Sequence, residues 1–253
     1  MGEKTFNRKG RIIAYTLLCL ILFSLSGCTP SIIENTIYCF NDKHTSYANI
    51  VAQTLPFGRI NKSNIPISTL QDGALAVEAF NNQALPALEY GVANYWYPQY
   101  LATVIIAVDR DMTDTVVTGW NDLPAAGEMV GYAGIYTSEM VFVALAYGLE
   151  GENFSLSGAA EMLAGLRSKG LFAYNSYDQP IIICYDYYAA AMIKEGRNLE
   201  VIVPCEGTLT FERGLLSNEP LSFTDDVDSI LFSAGFRLLD GHCDSALYPE
   251  PLS

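Results

Sequence analysis

Basic residues are scarce in this sequence: 14 lysines and arginines stand against 28 aspartates and glutamates in 253 residues, a formal net charge of −14. Phosphate backbones are held largely by neutralising positive charge, so the balance argues against a nucleic-acid partner. Histidine is scarcer still, at two residues. No CxxC and no Cys/His ligand spacing occurs, which argues against a zinc site. GxSxG, HExxH and the P-loop are also absent, and with them the hydrolases and nucleotide enzymes built on those motifs. A paired-carboxylate hydrolase stays open, because acidic residues abound. There are no internal repeats and no low-complexity tracts.

Long apolar runs are lacking too. The most apolar stretch, residues 12–23, falls short of the ~20 residues that span a membrane. It follows a basic head, Lys4, Arg8, Lys9 and Arg11, and leads into Leu25, Ser26, Gly27 and Cys28. That order is a secretory signal, residues 1–27. Its end resembles a bacterial lipobox, which implies that Cys28 carries the lipid of an anchored, exported protein. Without residues 1–27 the chain keeps 226 residues, with 10 basic against 27 acidic, a net of −17. That length suffices for one large or two small domains with a sizeable core. Beyond Cys19 and Cys28 stand Cys39, Cys184, Cys205 and Cys243, which can pair in three ways. Three of these lie in or beside strand-like runs, where a thiol serves equally well as a small hydrophobe, and no bridge is assigned.

What the sequence has in plenty is alternation of strand and helix signals. Residues 36–40 read as a first strand, 41–44 as a polar corner and 46–54 as a helix. Residues 57–82 carry Gly, Pro and Asn breakers and no clear period. A buried strand follows at 101–108. After a charged turn come a strand at 129–133, a helix at 138–149, and a helix capped by Ser157 with Ala159, Met162, Leu163 and Leu166 on one face. A strand at 171–174, a strand at 181–184, a helix and a strand at 201–203 complete the unit. In that helix Asp186 is the expected N-cap and Gly196 the stop. A last amphipathic helix is expected over 225–234. Alternation of this kind predicts an α/β architecture with a parallel or mixed sheet and helices on both faces. Ligands of such sheets sit beyond the carboxyl ends of the strands, where Tyr187 and Tyr188 fall.

Three segments, GWNDL at 119–123, YDYYAAAMIKEG at 185–196 and VIVPCEGT at 201–208, together with the lipobox, resemble the extracellular solute-binding proteins of bacterial ABC importers, family 1 and iron-binding-like. The resemblance covers about residues 35–249. It implies the two-lobed type 2 periplasmic-binding-protein fold, with lobes joined by hinge strands and the ligand between them. Mapped onto this chain, residues 28–112 begin lobe one, 113–203 form lobe two and 204–253 return to lobe one. The first crossing is expected at 101–111 and the second at 201–210. Lobe one reads as short, and no strand ending of the family's usual type is found between residues 60 and 88. The resemblance further implies transport rather than catalysis, a permease as partner, and a place on the outer face of the cytoplasmic membrane.

Iron-binding members use an adjacent tyrosine pair on lobe two and, in some, a histidine after the first strand. Tyr187, Tyr188 and His44 match those positions. Fe(III) is a hard cation suited to phenolate oxygen, and binding can displace a phenol proton that otherwise leaves near pH ~10. Asp42 or Glu89 is available to complete the shell. Organic ligands fit as well. The helix start at Asp186 suits a carboxylate or phosphonate, and Tyr95 and Trp96 could box a polyamine or thiamine-like cation. Ser138 and Glu206 complete the candidate set. Helix capping for Ser138, core packing for Tyr95 and Trp96, and a solvated turn for Glu206 are the plain alternatives. Ferric iron, an organic solute, a sensory or adhesive lipoprotein and a hydrolase therefore remain distinct readings.

Overall fold

The computed structural model describes residues 35–41, 47–55, 58–132 and 138–248. In chain order the elements are β1 (Thr36–Cys39), α1 (Tyr47–Thr54), β2 (Arg59–Lys62), β3 (Ala76–Phe80), α2 (Asn81–Glu89), β4 (Tyr95–Asp109), β5 (Val130–Tyr132), α3 (Ser138–Glu150), α4 (Leu156–Ser168), β6 (Phe172–Tyr174), β7 (Ile181–Tyr185), α5 (Asp186–Lys194), β8 (Leu199–Ile202), β9 (Thr210–Ser217) and α6 (Val227–Ala234). Short 3₁₀ turns occupy Ile67–Asp72 and Trp120–Asp122.

The strands build two sheets. In the first, β1 lies between β2 and β3 and runs parallel to both, β9 is antiparallel to β3, and the leading part of β4 is antiparallel to β9. In the second, the trailing part of β4 pairs antiparallel with β7 and β8, while β5 joins β7 to the edge strand β6 in parallel. β4 alone belongs to both. Its fifteen residues make the difference: Tyr95 to Thr103 pair with β9, and Val104 to Asp109 pair with the second sheet.

Residue chemistry explains the placement. β7 reads Ile-Ile-Ile-Cys-Tyr and every residue of it is buried, as a strand covered on both faces requires. α5 carries three successive alanines, a favourable helix interior, and ends at Gly196, whose φ of 98° only glycine adopts without strain. Where β4 meets β9, the register shifts between Pro98 and Tyr100, and Gly214 lies opposite Pro98. A Cβ at Gly214 would come within 1.9 Å of the Tyr97 carbonyl oxygen. Glycine is what lets the two crossing strands approach there.

The structure differs from the sequence reading at several points. β8 is not the returning strand: it stays in the second sheet, and the return is made by β9. The charged pair Glu212 and Arg213 hid β9 from a hydrophobic pattern. Residues 57–82 hold two strands, one an exposed-edge RINK and one with a glutamate at its centre, which hid both from a hydrophobic pattern. The α4 cap position belongs to Ser155, whose backbone N–H donates to Glu150 at 2.7 Å. Asp186 is the first residue of α5 rather than its cap, which is Tyr185. Cys39, Cys184, Cys205 and Cys243 are free thiols. Among the described residues no helix is long and apolar enough to cross a membrane.

Candidate functional site

A charge inside an apolar strand must meet its opposite or cost several kcal/mol, about 3–5 if left alone. Glu78 sits within β3 and Arg213 within β9, with Phe80 opposite Arg213 in the register. Side chains two apart share a face, so the carboxylate and guanidinium lie on one side of the sheet. They form an ion pair at 2.5 Å, with side chains only 2% and 1% exposed. Glu78 also accepts from the Phe40 backbone N–H at 2.7 Å and from the Tyr100 hydroxyl at 3.3 Å. Arg213 donates its other terminal nitrogen to the Tyr187 hydroxyl.

Aromatic rings enclose that guanidinium. Its carbon is 4.8 Å from the Phe40 centroid, 4.9 Å from Phe80, 5.1 Å from Tyr187 and 5.4 Å from Tyr100. Phe40 follows β1, Phe80 ends β3 and Tyr187 lies in the first turn of α5, so the cage gathers the carboxyl ends of strands from both sheets. The two sheets and their helices meet here. The Phe80 ring stacks on Tyr185 of β7 at 5.7 Å, and Asn82 of α2 reaches Met140 of α3 at 3.0 Å.

A second buried pair ties α5 to the crossing strand. The Asp186 carboxylate accepts from the Thr103 N–H at 3.0 Å and the Tyr187 N–H at 2.9 Å, and meets Arg237 at 3.2 Å. Arg237 also donates to the Thr103 hydroxyl. Burial pushes the Asp186 carboxyl up to about 6, while Arg237 and the two backbone N–H groups pull it back. Burial likewise holds the Tyr47 and Tyr100 phenols well above their ordinary range. The site carries two cations and two anions among these four partners, within walls of aromatic carbon.

The expected site residues are partly brought together. Asp186, Tyr187 and Tyr188 are adjacent and buried, with the two tyrosine rings 4.6 Å apart. Tyr188 packs on Tyr177 at 5.4 Å. Tyr95 and Trp96 are not part of this group. Five residues of strand, about 16 Å at ~3.3 Å each, separate Tyr95 from Tyr100. Tyr95 instead stacks on Tyr97, whose ring meets Phe223. Glu206 lies on the connector into β9, where its carboxylate accepts the N–H groups of Trp120 and Asn121 at 3.0 and 2.9 Å. It anchors the GWNDL segment. Asp42, His44 and Cys28 lie outside the described residues, as does the side chain of Ser138, the first residue of α3. Among the described residues no group of three His, Cys, Asp or Glu could hold a metal ion.

Glu78, Arg213 and Arg237 escaped the sequence reading. The signal for the first was present: a lone acid inside the otherwise apolar Ala-Val-Glu-Ala-Phe; Arg213 stands beside Glu212 before the apolar Gly-Leu-Leu.

No family model and no curated protein matches the sequence. Solved structures match in fold. Iron-bound HitA from Pseudomonas aeruginosa shares 14% identity over 87% of this chain and 91% of its own, with a TM-score of 0.61. The periplasmic binding protein AgtB from A. tumefaciens R10, in complex with agropinic acid, shares 9% over 80% and 75%, with a TM-score of 0.55. AfuA from Actinobacillus pleuropneumoniae, with fructose-6-phosphate bound, shares 15% over 79% of each chain, with a TM-score of 0.51. At these identities the likeness is one of architecture: this chain has the two-lobed type 2 periplasmic-binding-protein fold, its lobes joined by β4 and by the passage from β8 to β9.

Proposed function

We propose that this protein is an exported solute-binding protein of an ABC importer, anchored by lipid on Cys28, that captures a small solute between its lobes and delivers it to a permease. Residues 28–112 and 204–253 would make lobe one, and 113–203 lobe two. The observation that carries the reading is the Arg213 cage: a guanidinium placed where strand ends of both sheets converge. Closure in this fold shifts population toward the liganded state through contacts made by both lobes.

For the ligand, the cage favours a small organic anion such as a carboxylate or phosphonate. A guanidinium matches such groups with two parallel hydrogen bonds, and its hydroxyl partner Tyr187 can yield to a stronger acceptor. Ferric iron is the second reading, supported by the adjacent phenols of Tyr187 and Tyr188. It requires Tyr187 to leave Arg213, because a cation beside the phenol opposes a further cation on the same oxygen.

A thermal-shift screen with phosphonates, carboxylates, polyamines, thiamine, sugars and ferric citrate tests both. An anion that raises the melting point of the protein, and loses that effect in Tyr187→Phe and Arg213→Lys, supports the first. A visible tyrosinate charge-transfer band with ferric citrate, lost on substituting Phe at Tyr187 and Tyr188, supports the second. Stoichiometric binding without product separates either from a hydrolase. A receptor or adhesin of the same fold would show no dependence on a permease.

A further inference from the structure

The β5–β6 edge of the second sheet, with α3 and α4, lines a groove of about 440 Å³. Small-molecule sites commonly measure ~300–1,000 Å³, with mostly apolar walls and a few polar groups. This one has that make-up. Tyr132 and Tyr174 stack at 6.1 Å with planes 17° apart, and Phe172 lies 6.0 Å from Tyr132. Phe142 and Leu163 supply the facing helical wall. Tyr174 is 56% exposed at the end of the edge strand, a large apolar surface left open.

Two opposite charges line the same groove, Glu139 in the first turn of α3 and Arg167 in the last turn of α4. Among the described residues neither forms an ion pair, with the other or elsewhere. A flat aromatic wall flanked by a separate cation and a separate anion is complementary to a planar ring carrying both a carboxylate and an ammonium group. We propose that this groove is a second ligand site, for an aromatic zwitterion of the amino-acid type, with the carboxylate at Arg167, the ammonium at Glu139 and the ring against Tyr132 and Tyr174. The proposal does not depend on what the interlobe seam binds.

Three probes dissect the recognition: L-tryptophan, indole-3-propionate without the ammonium, and tryptamine without the carboxylate. Their affinities for the full chain are measured by calorimetry and ligand-observed NMR. Tryptophan should bind most tightly. Arg167→Gln should weaken tryptophan and indole-3-propionate at least ten-fold and leave tryptamine unchanged. Glu139→Gln should do the reverse, weakening tryptophan and tryptamine alone. Tyr174→Ala should weaken all three. These residues are exposed, so the variants are expected to fold, and an unchanged melting point checks it. No saturable binding of tryptophan overturns the proposal. So does binding that is insensitive to Arg167→Gln and Tyr174→Ala but lost in Tyr187→Phe, which would assign the ligand to the seam.

Discussion

Removing the Glu78 carboxylate strands the Arg213 guanidinium in a site where it is 1% exposed. Glu78→Gln is therefore expected to lower the unfolding free energy by about 3–5 kcal/mol, measured by urea denaturation. Glu78→Gln combined with Arg213→Met should recover much of that loss, because no uncompensated charge remains. A single-variant effect below ~1 kcal/mol would show that water reaches the pair. Asp186 makes a pH-dependent counterpart. Its folded-state value of about 6 lies above the ordinary 3.8. The folded protein therefore holds a proton that the unfolded chain has released, and stability falls as pH rises from about 4 to about 6. The loss is on the order of 3 kcal/mol and is complete above that window. Asp186→Asn should abolish this slope, because the amide carries no titrating proton.

Elements differ in how plainly the sequence announces them. β7 and α5 were legible because burial on both faces leaves a continuous β-branched run, and because Ala-rich helix and glycine stop agree with each other. β3 and β9 were not, since a pair of strands can bury opposite charges only by lying beside one another. Neither sequence shows that alone. The tyrosine pair at the head of α5 was likewise legible, whereas Arg213, to which Tyr187 binds, comes from 26 positions later in the chain. Where β9 crosses β4, Gly214→Ala should cost about 2 kcal/mol or more and reduce cooperativity between the lobes, since the clash is with backbone rather than a movable side chain. Calorimetric melting tests it. A split into two transitions would locate the damage at the crossing.

At the scale of the molecule, two buried ion pairs meet α5: Glu78 with Arg213, held within the first sheet and reaching Tyr187 through Arg213, and Asp186 with Arg237, joined to Thr103 of β4. A solute that binds the closed form should raise the apparent stability by about 2.7 kcal/mol at a hundred times its dissociation constant, following mass action. Chemical denaturation with and without the solute measures that gain. A smaller gain at the same saturation would mean that the ligand also binds the unfolded chain. The fold class and the order of most elements could be read in advance from alternating strand and helix signals. The occupants of the seam could not, because they come together only when distant strands pair.

The reach of β4 also sets a timetable. Tyr95 finds its partner only at Ser217, and Val104 pairs with Tyr185. Contacts so far apart in the chain close slowly. Neither sheet can be completed while the strands that flank β4 are still being made, so the chain stays open until nearly all of it has emerged. Under the export proposed above, that delay would keep the chain fit for passage through a membrane as an unfolded thread. Cut before β9, it would be left with a long, bare, aggregation-prone edge.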